Sequence, residues 1–329
     1  MTNGPLVSII VPNWNGKSVL RMCLESLTHL DYSNFEIIVV DNASKDGSPN
    51  IVKKEFPHVG LIINERNLGF AGGCNVGIRA AKGELICLFN NDAVATPSWL
   101  SELVQAILSP GVGIVGGIIY YCRPEKVIWS AGMRLDAVTG IDWRVAHGYR
   151  LDDLNETDDI DYLSGCALLI KREVMEKVGV LDEKYFFYCE DLDLNLRAQR
   201  AGYECRLVPT ASACHMASFT RKKVPLQGYY HQMRGLFRIY FKHFPFRYLA
   251  TCLFFQLVIF PFFEMTFFRT SPLFTIQRLN AFGWNVARLK ETIADRYRVN
   301  SIGKVTLRNR FKEFVEVSRS HLASRYYDF

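Results

Sequence analysis

The chain of 329 residues is 49% apolar and 22% charged, which suffices for a sizeable core and excludes a disordered polymer. Its 23 glycines and 12 prolines follow no period, so collagen-like and low-complexity classes are excluded as well. The net charge of +6 is unevenly placed: residues 269–329 hold twelve Lys/Arg against five Asp/Glu, and the body is close to neutral.

Residues 7–12 (VSIIVP) form a continuous apolar run, and 16–28 then carry Val19, Leu20, Cys23, Leu24 and Leu27 at helical spacing. The pattern repeats with runs at 35–41, 59–64 and 84–90, followed by helical stretches at 49–56, 71–81 and 97–108. A fifth run covers 114–121. Apolar strands alternating with helices predict a parallel sheet covered on both faces. Right-handed crossovers make it an open, mostly parallel, doubly wound α/β layer. Residues 122–160 lose this regularity and read as a loop-rich insertion with an acidic stretch over 152–161. A strand is expected over 163–170, a helix over 172–178, and an acid-led segment over 185–202.

The C-terminal third has another character. Residues 229–243 predict an aromatic, basic amphipathic helix, and 249–268 are twenty nearly all apolar positions. That length matches a bilayer span. Gln256, Pro261 and Glu264 interrupt it, however, and Arg247 and Arg269 flank it. A single crossing would strand the basic tail on the far side, against the positive-inside bias. An interfacial or re-entrant helix is the better expectation, with a buried core helix as the bland alternative. Nine cysteines without a CxxC pair predict a reducing compartment, with neither a disulfide framework nor a zinc site. The opening MTNGPLVSIIVP has no basic region and no A-x-A site, so no secretory signal is expected.

Ligands of open α/β sheets bind beyond the carboxyl ends of the strands. Those positions hold Asn13, Trp14, Asn15 and Gly16; then Asp41, Asn42, Ala43 and Ser44; then Asn64, Asn67 and Gly69; then Asn90, Asn91 and Asp92. A helix cap would explain any one of them. Four on one edge make a continuous polar rim. A phosphate loop fails because Val11 stands where its first glycine belongs, and glycines 69, 72, 73 and 77 do not form GxGxxG. Asp92 at a strand end can reach a divalent cation. Glu190, Asp191 and Asp193 crowd together and need an arginine, a metal or a raised pKa to offset their repulsion, or serve a helix N-terminus. His215 stands alone after the run 207–211, and a lone histidine is more often structural.

In combination, VSIIVPNWNG (7–16), EIIVVDNASKDGS (36–48), NERNLGFAGGCNVGI (64–78), LFNND (88–92), the segment 164–203 and the His215 region resemble the inverting glycosyltransferases of family 2. The similarity covers about residues 5–220 and is nearest to the rhamnosyltransferase-like branch. It implies a GT-A fold and a metal-dependent, inverting transfer from a nucleoside-diphosphate sugar to a glycan or polyprenyl-linked glycan in surface-polysaccharide assembly.

By the resemblance, Asp191 is the general base, with Glu190 its neighbour. Pro12, Asn13, Asn15, Asp41, Asn42, Ser44 and Asn91 would line the donor pocket. Asn67, Gly69, Gly72 and Asn75 would close over the nucleotide and diphosphate, glycine letting the backbone come close. Asp92 and His215 would hold Mg²⁺ or Mn²⁺, with Asn90 in place of the family's first metal-binding acid. The catalytic domain is expected over 1–224, with a nucleotide-sugar half (1–120) and an acceptor half (121–224). A helical, membrane-associating region follows over 225–329. The partners are then donor, acceptor and a membrane surface, with no nucleic acid, and the catalytic domain faces the cytosol. Two other classes compete: a sugar nucleotidyltransferase, which would need a glycine loop that VPNWNG is not, and a non-catalytic scaffold.

Overall fold

The computed structural model of the chain describes residues 4–154, 159–216, 225–266 and 271–321, with side chains to residue 316. The five apolar runs become β1 (Val7–Asn13), β2 (Phe35–Asp41), β3 (Gly60–Ile63), β4 (Leu85–Phe89) and β6 (Val112–Tyr121), with a short β5 (Ala93–Ala95) after β4. The amphipathic stretches between them become α1 (Lys17–Thr28), α2 (Ser48–Glu55), α3 (Gly69–Ala80) and α4 (Trp99–Ile107). After the insertion, which contributes β7 (Ile128–Ser130), β8 (Met133–Leu135) and β9 (Asp142–Arg144), come β10 (Ala167–Lys171), α5 (Arg172–Val178), α6 (Glu190–Arg200) and β11 (Glu204–His215).

The sheet runs β3-β2-β1-β4-β10-β6-β11-β5, with β7 on β6. The first four strands are parallel, and so are β6 and β11. β10 runs against both β4 and β6. Among the described residues no α-helix separates β6 from β10, so the chain returns from the carboxyl edge and enters the sheet reversed. Alternate residues of β1 serve opposite faces. Val7, Ile9 and Val11 pack with Leu20 and Leu24 of α1 and Leu103 of α4. Ile10 faces the other way, and a Cβ on Gly77 of α3 would collide with it and press on Val40. Fully burying each such Leu, Ile or Val side chain is worth roughly 1.5–3 kcal/mol.

The chain divides into two compact units: Met1–Met133, Arg144–Phe186 and Glu190–Ala217 form the first, and Arg134–Trp143, Phe187–Cys189 and Ser218–Phe329 the second. The second thus takes in two short segments from within the expected catalytic region. A linear boundary cannot express a chain that leaves a unit and returns.

The second unit is built on α7 (Pro225–His243). A continuous helical rod, α8 (Phe246–Thr266), follows, with a π-helical stretch at Phe255–Ile259. Then come α9 (Pro272–Ala287), α10 (Leu289–Ile302) and α11 (Phe311–His321). α7 buries Phe237, Ile239 and Tyr240, and Phe237 meets Phe282 of α9 edge to face at 5.4 Å. The helix that carries the expected apolar segment 249–268 begins at Phe246, and residues 267 and 268 lie outside the described residues.

The basic tail is less exposed than its composition implies. Arg278, Arg296 and Arg310 are buried. Arg296 donates to the carbonyls of Phe241 (3.1 Å) and Phe244 (2.7 Å), and Arg310 pairs with Glu313 at 3.0 Å. Burial needs partners for a charge, and these arginines find them in the fold.

Candidate active site

Asn13, the last residue of β1, organises the first corner. Its Nδ2 donates to Asp41 Oδ1 (2.8 Å), Ser48 Oγ (2.9 Å) and Ser44 Oγ (3.3 Å). Its Oδ1 accepts from Asn91 Nδ2 at 2.8 Å. One buried amide thereby ties the ends of β1, β2 and β4 together. Asp41 is fully buried, and its Oδ2 accepts from the Ser44 N–H at 2.8 Å. Ser44 Oγ in turn accepts from the Asn15 N–H at 2.8 Å, and Asn15 Oδ1 accepts from the Lys45 N–H at 2.8 Å. Asn15 and Ala43 hold positive φ, a strained conformation for residues with a Cβ. Pro12 is buried in β1 opposite Val40. The residues at the N-cap positions of α1–α4 make no side-chain cap bond, so capping from those positions does not account for the polar rim. Its members bond to one another instead.

The α3 corner is equally interlocked. Asn42 Nδ2 donates to the Gly69 carbonyl (2.9 Å), and its Oδ1 accepts from Asn64 (2.8 Å). Asn67 Oδ1 accepts from the Gly69 N–H at 2.8 Å. Asn75 clasps residues 181–183: its Nδ2 donates to the Leu181 carbonyl (2.8 Å) and Glu183 (3.0 Å), and its Oδ1 accepts from the Leu181 N–H. The glycines here answer to the fold itself. A Cβ on Gly69, which has φ +75°, would strike Phe186, and one on Gly72 would strike Leu68.

At the end of β4, Asp92 Oδ1 lies 3.0 Å from His215 Nε2, on the last residue of β11. The pairing of β5 with β11, His215 opposite Ala93, brings them together across 123 residues of sequence. His215 is buried and meets the Trp129 ring edge-on at 5.0 Å, while the Arg144 guanidinium stacks 4.4 Å over Trp129. Sequence reasoning missed both residues. Only the tryptophan content of the insertion hinted at them.

Beside His215, Cys214 is disulfide-bonded to Cys122. This corrects the expectation of reduced thiols throughout. Parallel β6 and β11 run in register with His215 opposite Tyr121, which carries the two cysteines together over 92 residues.

The acids of α6 have separate fates. Asp191 accepts from the Gly165 N–H at 2.7 Å through Oδ2 and from the Leu192 N–H at 2.8 Å through Oδ1. Glu190 is buried with Oε2 lacking a hydrogen-bond partner. Burial, and next the charge of Asp191, push its carboxyl well above the usual range. Asp193 is structural: Oδ2 accepts from Arg197 Nε at 2.7 Å and Oδ1 from the Tyr185 hydroxyl at 3.1 Å. Arg197, four residues on, also donates to the carbonyls of Val178, Gly179 and Val180. The i,i+4 spacing of Asp193 and Arg197 is legible in the sequence, but the role of Tyr185 is not.

Two adjacent residues join the acid sites. Gly165 holds Asp191, and the Cys166 carbonyl accepts from the Asn90 N–H at 2.9 Å. Burial first, then its neighbours Asp92, Cys23 and Asp191, raise the Cys166 thiol well above its ordinary value. Both carboxylates therefore sit around the entry to β10.

Residues 8–179 match the profile of Glycosyl transferase family 2. The chain belongs to that family. Among relatives, an uncharacterized protein of Sinorhizobium fredii is 33% identical over 237 residues, 67% of this chain but 25% of that protein, so the chain spans only a quarter of its length. Glycosyltransferase AglE of Haloferax volcanii is 26% identical over 65% of this chain and 67% of its own. N-acetylglucosaminyl-diphospho-decaprenol L-rhamnosyltransferase of Mycobacterium tuberculosis is 27% identical over 63% of this chain and 74% of its own. The fold is that of GT-A glycosyltransferases. Mannosyltransferase PcManGT from Pyrobaculum calidifontis, solved with GDP-Man and Mn²⁺, superposes with a TM-score of 0.56 at 17% identity over 98% of this chain and 86% of that one. GalNAc-T7, solved with UDP, GalNAc and Mn²⁺, gives 0.63 at 17% identity over 99% and 59%. The family match and the named relatives support a glycosyltransferase over a sugar nucleotidyltransferase.

Both solved structures contain Mn²⁺. Asp92 and His215 juxtapose a carboxylate oxygen and an imidazole nitrogen, and Asn90 Oδ1 is buried without a hydrogen-bond partner. Among the described residues no group of three or more His, Cys, Asp or Glu could hold an ion. A carboxylate, an amide oxygen and an imidazole nitrogen are donors that a divalent cation accepts.

Proposed function

We propose that the chain is an inverting transferase that moves a sugar from a nucleoside diphosphate to a hydroxyl of a glycan or polyprenyl-linked glycan in surface-polysaccharide assembly. The observation that carries this reading is the entry to β10, where Gly165 holds Asp191 and Cys166 holds the Asn90–Asp92 segment. A base and a diphosphate site then share one short piece of strand. The acceptor hydroxyl attacks the sugar carbon on the face opposite the leaving diphosphate, and its proton passes to Asp191. One displacement with one base inverts the centre. Burial and the charge of Asp191 raise the Glu190 carboxyl, which suits the two neighbouring carboxyls to different roles.

Asp92 and His215 would hold the Mg²⁺ or Mn²⁺. When bound, the ion supplies Lewis-acid stabilisation of the departing diphosphate. Asn15, Ser44 and the Asn67–Gly69 turn receive the nucleotide. Asp41, whose two oxygens are both engaged internally, acts on the donor through Asn13 and Ser44. The relatives' names and the apolar α8 favour a lipid-linked acceptor, met by a protein that sits peripherally on the cytoplasmic face of the cell membrane.

The test pairs two variants. Asp191→Asn should lower kcat by about 10²–10⁴ and leave Mn²⁺-dependent thermal shifts with UDP-, GDP- and dTDP-sugars unchanged. Asp92→Ala should abolish those shifts. Near-normal turnover of Asp191→Asn would remove it from its role.

A further inference from the structure

The membrane reading above can be carried to a definite geometry. We infer that α8 and α9 dock together in the plane of one leaflet and that α8 does not span the bilayer. α8 is long and apolar enough to cross a membrane, and 17% of its most apolar window is buried within the protein. Its inward side, however, carries polar groups. Gln256 Nε2 donates to the Thr139 carbonyl at 3.2 Å. Arg278 of α9 donates to Gln256 Oε1 (3.1 Å), to Glu264 Oε1 (2.6 Å) and to the Tyr229 hydroxyl (2.6 Å). A spanning α8 would have to leave these partners, placing Glu264 in hydrocarbon and Arg278 without its counter-charge.

The outward faces are the reverse. Phe254, Val258 and Phe262 recur every four residues on α8, each more than half exposed. Leu273, Ile276 and Leu279 recur every three on α9 at 50%, 49% and 52% exposure. Arg278 bonds to α8 from within, and the outward surface of each helix is apolar. The charges around it select a lipid surface over a protein partner. Across residues 246–290 the sequence holds one acid, Glu264, which is paired inward, while Arg247, Arg288 and Lys290 stand exposed near the helix ends. Arg247 stacks on Tyr248 at 4.7 Å and Arg288 on Trp284 at 4.3 Å. Aromatic rings with adjacent cations suit the headgroup layer, and such a helix pair lies in it with both ends on one side.

The test uses the full chain without detergent and vesicles of phosphatidylcholine with and without phosphatidylglycerol. The wild type should float with the anionic vesicles. Val258→Asp on α8 and Ile276→Asp on α9 should each lower the bound fraction about tenfold or more, with circular dichroism and nucleotide-sugar thermal shift unchanged as controls of folding. If Val258→Asp abolishes flotation and Ile276→Asp leaves it intact, α8 inserts alone and the in-plane geometry is wrong, while the membrane reading stands. If the wild type does not float, the membrane reading fails. If light scattering shows a dimer that Ile276→Asp dissociates and vesicles do not compete for it, the face belongs to a second copy and the proposal is overturned.

Discussion

Replacing Asp193 by alanine is expected to unfold the first unit at a much lower temperature without removing a catalytic group. Asp193 has no exposed surface, and it is the counter-charge of Arg197, whose side chain is also buried. The variant would leave a guanidinium in the interior with three carbonyls and no anion. Breaking one side of a buried pair costs about 3–5 kcal/mol. For a unit of this size each kcal/mol moves Tm by roughly 2–4 °C, so a fall of roughly 6–20 °C should appear in calorimetry or fluorescence melts. Adding Arg197→Met should recover part of the loss, because the double variant no longer buries an unpaired charge. The non-additivity measures the pair directly. A fall below about 2 °C would show that the carbonyls of residues 178–180 compensate Arg197 alone, and the structural assignment of Asp193 would fail.

The remaining expectations are shorter. Glu190 holds its proton in the folded chain above its ordinary value of 4.5, so it contributes stability at acid pH that is lost as pH rises through the folded value. Glu190→Gln should therefore melt close to wild type near pH 4.5 and increasingly above it toward alkaline pH. Curves that stay parallel would refute the raised carboxyl. The Cys122–Cys214 bond closes a separation of 92 residues, and its loss should cost about 2–5 kcal/mol. Cys122→Ser should melt lower than wild type without reductant and coincide with it under dithiothreitol. Wild-type protein indifferent to dithiothreitol would show that the bond does not contribute.

Much of the first unit was legible because local burial leaves a local trace. Apolar runs of strand length alternating with helical spacing marked β1 to β4, β6, α1 to α4 and α5 within a few residues, though not the short β5, and the end of each run marked the edge where polar residues gather. The acids at 190–193 and the tail's excess of arginine were visible for the same reason. What those residues do was decided by register between distant strands. The periodicity around 163–170 does not say that β10 slips reversed between β4 and β6, yet that placement puts Gly165 on Asp191 and Cys166 on Asn90. Nor does it say that Cys214 faces Cys122, that Asn13 bonds to Asp41 and Asn91 where a helix cap was the simpler expectation, or that Arg278 turns inward to Glu264. A side chain's neighbours in sequence set whether it is buried. Its partners are set by residues dozens of positions away, for which hydrophobic periodicity carries no signal.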